Sequence, residues 1–201
     1  RIVGSERCIP AVSELLSDAR LAHMARWVLR KMESEAADRA LLEALSRTSG
    51  NIRIGIMETI GERGDPDALD RLAELARADH RATAGAALGA IGKIGTPAAA
   101  SVLDRVDVPD DLMIDWCDAY LNCAEKLAGT GHENRAENIY RKLFESEHSA
   151  LVRAAAFGRL AEMEQAGSVP LVVEMLDAEE KELRQAAAQA VLGIEGRAAS
   201  K

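Results

Sequence analysis

Gly64-Asp65-Pro66-Asp67-Ala68-Leu69-Asp70-Arg71-Leu72-Ala73-Glu74-Leu75 opens with a cap, a proline in the first turn and an apolar pair, Leu72 and Leu75, three residues apart. An amphipathic helix begins this way when a side chain sets its start and a 3.6-residue period sets its core face. The same order recurs on both sides. Gly4, Ser34, Gly64 and Gly95 are spaced by 30, 30 and 31 residues. Eight residues after each stand Val12, Leu42, Leu72 and Leu103, and eleven after each stand Leu15, Leu45, Leu75 and Val106. Gly95-Thr96-Pro97 repeats the cap and the proline. A period near thirty marks stacked helical units, none of which buries its apolar face alone.

A second helix follows in each unit. Leu21 to Met32 is predicted to turn Leu21, Met24, Ala25, Val28 and Met32 to one side, with Asn51–Glu62 and Ala82–Ile91 as its counterparts. Gly61 and Gly92 are expected to close those two helices. Near the C-terminus, Pro170-Leu171-Val172-Val173-Glu174-Met175-Leu176 echoes Pro10-Ala11-Val12-Ser13-Glu14-Leu15-Leu16, and Val152-Arg153 and Leu183-Arg184 open helices as Ile52-Arg53 and His80-Arg81 do. Between them, Asp107-Val108-Pro109-Asp110-Asp111 leads into a longer helix to about Leu127, then a turn at Gly129-Thr130-Gly131 and a helix from Asn134 to Glu145.

The composition agrees. Among 201 residues there are 37 Ala and 22 Leu, while aromatic residues make up 3%, a mixture that favours helices over sheet. No run of 18 apolar residues offers a membrane span. A net charge of −8 disfavours nucleic acid held through phosphates. Cys8, Cys117 and Cys123 are odd in number and lack metal spacing, so they are expected to be packing thiols.

Ala87-Leu88-Gly89-Ala90-Ile91-Gly92, the opener Asp65-Pro66-Asp67-Ala68-Leu69 and the arginine-bearing helix starts resemble HEAT repeats of the short, bilin-lyase-like type. Leu21-Ala22-His23-Met24-Ala25-Arg26-Trp27 with the Asn51–Gly64 repeat is similar to HEAT-repeat proteins of planctomycete-type bacteria. The resemblance implies an all-α, right-handed superhelix of about six helix pairs. It also implies a larger chain, often exported, whereas three unpaired cysteines fit a reducing compartment equally well, so cytoplasm and periplasm both stay open. The organisation expected is a single solenoid over 1–201: regular repeats at 1–106, a longer tetratricopeptide-like hairpin at 107–148 and C-terminal repeats at 149–201. The repeats begin mid-unit, which suggests a fragment of a larger chain.

Four constellations bear on chemistry. His23, Arg26, Trp27 and Arg30 fall opposite the apolar side of their helix, where a cation-flanked Trp suits a partner chain or a carboxylate. The alternative is a Trp packed on the neighbouring helix under stacked arginines. Arg53, Arg81, Arg153 and Arg184 recur one per repeat, and the resemblance implies that they reach acidic or carbonyl groups at inter-repeat turns. Asp111, Asp115, Asp118, Asn122 and Glu125 step along one helix and read as a solvated face. His132-Glu133 is the only His-Glu pair; the HEAT-like metal hydroxylases repeat such pairs near the starts of second helices, where this chain has Ile54-Gly55, Ala82-Thr83, Ala154-Ala155 and Gln185-Ala186.

These readings lead to one expectation of function. It is a non-catalytic scaffold, not an enzyme, holding a protein or peptide on the concave face of the second helices, with no catalytic residue, metal or cofactor. No nucleic acid and no membrane insertion are expected. An N-terminal edge exposing Ile9 and Val12 is expected either to self-associate or to be covered by chain upstream of it. The alternative is a regulatory or positioning domain of a larger, exported enzyme.

Overall fold

The computed structural model describes residues 5–198, and every regular element among them is helical. The helices are α1 (Ile9–Glu14), α2 (Ala22–Arg30), α3 (Glu35–Arg47), α4 (Gly50–Arg63), α5 (Leu69–Leu75) and α6 (Arg81–Ile94). They continue as α7 (Pro97–Arg105), α8 (Met113–Gly129), α9 (Glu133–Phe144), α10 (Ala150–Glu164), α11 (Val169–Leu176) and α12 (Lys181–Ala198). The result is an all-α, HEAT-like succession of helix pairs. It divides into two compact units, one ending at Lys126 and the other beginning at Leu127.

In the first unit the caps read from the sequence are made. Ser34 Oγ accepts from the Ala36 N–H, an Asp65 carboxylate oxygen from Asp67, and Thr96 Oγ1 from Ala99. Each satisfies a donor that a helix start would otherwise leave without a partner. The apolar pairs are mostly buried: Leu45, Leu72 and Leu103 are fully enclosed, with Leu75 and Val106 nearly so, but Leu42 is only half-buried and Leu41 takes the core position beside it. In the first repeat Val12 is half-buried and Leu15 is 39% exposed, and Leu16 turns inward instead. Ile9, expected at an exposed flank, is buried. The residues before Ser5, on which the expected mid-unit start rests, lie outside the described residues.

Two glycines do not do what was expected of them. Gly61 and Gly92 lie inside α4 and α6, which run on to Arg63 and Ile94. The left-handed closing residues are Gly64 (φ 75°) and Gly95 (φ 61°), a conformation that costs glycine nothing. Gly61 and Gly92 mark crossings instead. A Cβ on Gly61 would stand 2.9 Å from Ala90 Cα, and one on Gly92 would stand 2.4 Å from the Ala119 carbonyl oxygen. The α4–α6 and α6–α8 contacts are therefore backbone against backbone, which is what the alanine-rich composition serves.

In α8, Trp116 Nε1 donates to the Leu103 carbonyl at 3.0 Å, and the Tyr120 hydroxyl donates to Asp104 at 2.5 Å. The second unit packs Phe157, Ala161 and Val172 against Leu183 and Ala187, with the rings of Phe144 and Phe157 5.7 Å apart. Among the described residues no helix is long and apolar enough to cross a membrane.

Candidate functional site

The rotation of α2 is set at its start. Asp18 accepts the N–H of Arg20 at 2.8 Å and of Leu21 at 3.1 Å on its carboxylate, while its carbonyl accepts from Ala22 at 2.8 Å. The buried line along the helix is Ala22, Ala25 and Leu29, continued by Met32 just beyond it. The sequence reading put Leu21 and Met24 on this side; the structure turns both to solvent and half-buries Val28. Small Ala22 and Ala25 let α2 come close to its neighbours, a preference that apolar periodicity does not register.

At 100° per residue, Trp27 lies about 180° from the centre of that buried line. It is 56% exposed, beside Met24 at 53% and Leu21 at 43%. Three large exposed apolar side chains thus follow one another at i, i+3 and i+6, winding about 120° around the helix. Around them stand Arg20, His23, Arg30 and Lys31, all exposed. No acidic residue occurs between Asp18 and Glu33, in a chain with 33 Asp and Glu.

The four residues singled out in the sequence are brought together on α2 with unequal roles. Arg30 donates to Glu62 of α4 at 2.8 Å, and this hydrogen bond holds the Glu62 carboxyl below its ordinary value while burial pulls it the other way. With both side chains well exposed the pair contributes at most about 1 kcal/mol. Arg26 lies across α4: a Cβ on Gly55 would fall 1.7 Å from its Nη1 and 2.2 Å from its Cζ. Gly55 is thus the seat of the Arg26 guanidinium. The Arg26 Nε is buried and has no hydrogen-bond partner. His23 is exposed one turn earlier.

One residue of this region was not visible in the sequence. Arg63, at the end of α4, donates through Nη1 to the carbonyls of Leu29 at 2.7 Å and Met32 at 2.6 Å, and through Nη2 to that of Ser34 at 3.2 Å. It also makes a two-pronged ion pair with Asp38, with Nη2 at 2.8 Å from Oδ2. Its side chain is 9% exposed. It closes the C-terminus of α2 and fixes the turn into α3. Its partners lie 25 to 34 residues back, so no local pattern marks it.

The recurring arginines behave as the resemblance implies at three places. Arg81 donates to the Asp111 carbonyl at 2.9 Å and to Asp115 at 2.9 Å. Arg153 donates to the Phe144 carbonyl and to Glu180, and Arg184 to the carbonyls of Ala178 and Glu179. Their register is not shared, because Arg81 is the first residue of α6 while Arg53, Arg153 and Arg184 are the fourth of α4, α10 and α12. Arg53 departs further: its Nε is buried without a partner. Where α12 is preceded by Glu180, the partner of Arg153, α6 is preceded by His80, whose Nδ1 caps Thr83 instead.

Elsewhere the candidates stay apart. The Asp111 and Asp115 end of the acidic stripe is taken up by Arg81, and Asp118 and Asn122 are exposed. His132 and Glu133 stand at the start of α9, both exposed. An open groove between Pro66–Leu69 and α7 is lined by Asp67, Asp70 and Arg105, a mixture of charges with no convergent geometry.

Residues 39–116 match the model of the family of HEAT repeats. That stretch, from α3 into α8, is similar to HEAT repeats. No curated protein matches the chain. Among solved structures it is similar to human deoxyhypusine hydroxylase in complex with glycerol, at 14% identity and a TM-score of 0.45, over 95% of this chain and 97% of that one.

This finding corrects the expectation of a non-catalytic scaffold that is not an enzyme. A HEAT-like chain of nearly the same span is an enzyme, so a succession of helix pairs gives no ground for excluding catalysis. At that identity and TM-score the likeness brings no activity, substrate or residue role to this chain. It adds nothing to the regulatory-domain alternative either.

Proposed function

We propose that this chain recognises a protein or peptide partner through the outward face of α2, with Trp27 as the anchor and His23, Arg26 and Arg30 around it. The observation that carries the reading is Trp27, one of two Trp in the chain, 56% exposed, with exposed Met24 one turn before it and exposed Leu21 at the start of the helix. Large aromatic and arginine side chains supply most of the energy of protein interfaces, and a contiguous exposed apolar patch rimmed by charge is where such interfaces form. The proposal concerns partner recognition alone and is independent of any chemistry the chain performs. The finer likeness to bilin-lyase-like repeats, which rests on the Ala87–Gly92 stretch, and that to planctomycete-type bacterial proteins, which rests on Leu21–Trp27 with the Asn51–Gly64 repeat, are part of this proposal.

Peptide selection on the intact protein tests it, with Trp27→Ala as the counter-target. Peptides enriched on the parent protein should lose about thirtyfold in affinity on the variant, the effect of a 2 kcal/mol hot spot. Peptides that bind both proteins equally would refute it. Exposed Leu15 and Leu21 favour a second reading, self-association at the N-terminal edge. Sedimentation across a concentration series distinguishes a monomer from a dimer there.

A further inference from the structure

We infer that the partner segment on α2 is acidic: an apolar side chain meets Trp27 while an adjacent Asp or Glu carboxylate is taken by Arg26. This rests on the partner-binding reading above and adds the chemistry of the partner. Two observations carry it. From Ala19 to Met32 the chain holds Arg20, His23, Arg26, Arg30 and Lys31 and no acid, within a protein of net charge −8. Within that cationic segment the two interior guanidiniums differ. Arg30 is committed to Glu62 at 2.8 Å. Arg26 is laid on Gly55 with its Nε sheltered and without a hydrogen-bond acceptor, and it feels the Glu62 carboxylate only through space.

A guanidinium is a planar fork matched to a carboxylate, and it is most effective when its position is fixed before the ligand arrives. Gly55 fixes it. Any side chain there would occupy the space the fork fills, so the glycine and the arginine form one device. Trp27, next in sequence and outward, adds a large rigid apolar surface with little conformational entropy to lose. A polyphosphate strand fits less well, because one interior guanidinium without a hydrogen-bonded carboxylate, in an acidic protein, releases few counterions.

The test uses the whole chain and three probes: a 14-residue amphipathic peptide with Leu at i, i+3, i+4 and i+7 and Glu elsewhere, the same peptide with Gln for Glu, and a 15-nucleotide oligothymidine. Binding is read from Trp27 emission in a Trp116→Phe background and by calorimetry in the parent protein. The Glu peptide should bind about tenfold tighter than the Gln peptide at low salt, as expected for a charge-assisted pair, and the gap should narrow as salt is added. Arg26→Gln should abolish the gap. Gly55→Ala, which keeps the charge and removes its seat, should narrow it; circular dichroism checks that each variant is folded.

Equal binding of both peptides, lost on Trp27→Ala, would overturn the acidic assignment and leave the α2 reading standing. Peptide binding unchanged by Trp27→Ala would overturn both. Failure of the Glu peptide to bind at about 1 mM would overturn the acidic assignment, as would tighter binding of the oligothymidine. A dimer dispersed by Trp27→Ala would assign the face to a second copy and overturn it as well.

Discussion

Alanine at Gly92 and alanine at Gly89 are the same chemical change, three residues apart on α6, and they should move stability in opposite directions. Each removes a helix-interior glycine, a gain of about 1 kcal/mol. At Gly89 a new Cβ meets nothing within 4 Å, so the gain stands alone. At Gly92 the Cβ falls 2.4 Å from the Ala119 carbonyl oxygen and 2.8 Å from its Cα. Both are backbone atoms of α8 and have no rotamer to move into, so the two helices must separate. Overpacking of this kind costs about 1–3 kcal/mol, and a backbone obstacle puts it at the upper end. Gly92→Ala should thus lose about 2 kcal/mol net, and the gap between the two variants, about 3 kcal/mol, reads the overlap itself. Urea unfolding followed by Trp116 emission measures it, because Trp116 is buried on α8 and bonded to Leu103. Variants within about 0.5 kcal/mol of each other would refute the close crossing.

Three further outcomes are expected. Arg63→Gln leaves Asp38 and the carbonyls of Leu29, Met32 and Ser34 without their donor; chemical unfolding should show a loss of about 3–5 kcal/mol, and a loss under about 1 kcal/mol would count against the lock. Burial pushes the Cys117 thiol up to about 11 from 9.0, so unfolded chains release that proton first. This group's contribution is intact below pH 9 and is lost as pH climbs to 11; Cys117→Ala should flatten that part of a stability–pH profile. Gln165, a non-glycine at φ 51° and ψ −118°, should gain about 1 kcal/mol on replacement by Gly, read as a higher melting temperature.

What the sequence disclosed was what local chemistry encodes. Ser34, Asp65 and Thr96 are caps because each has a side-chain oxygen two or three residues before an N–H that needs one. Leu72, Leu75 and Leu103 are core because a repeat with two neighbours must bury them. The positions that misled depend on what lies opposite. Gly61 and Gly92 look like helix ends until the backbones of Ala90 and Ala119 are placed against them. The cationic face of α2 was legible in angle, since Trp27, His23 and Arg30 do point outward. That Met24 joins them, that Arg26 rests on Gly55 and that the Arg53 Nε is left without a partner where Arg153 finds Glu180 are facts of packing between repeats.

The Arg63 lock also imposes an order in time. The turn from α2 into α3 has its carbonyls tied by a side chain encoded some thirty residues later. A chain emerging at about 5–20 residues per second must wait a few seconds for it. During that interval the first helix pair is held by its own contacts, with the turn bonded to water. Completion of α4 then fastens the pair before it, so this first repeat is finished by its successor and is secured backwards as the chain is made.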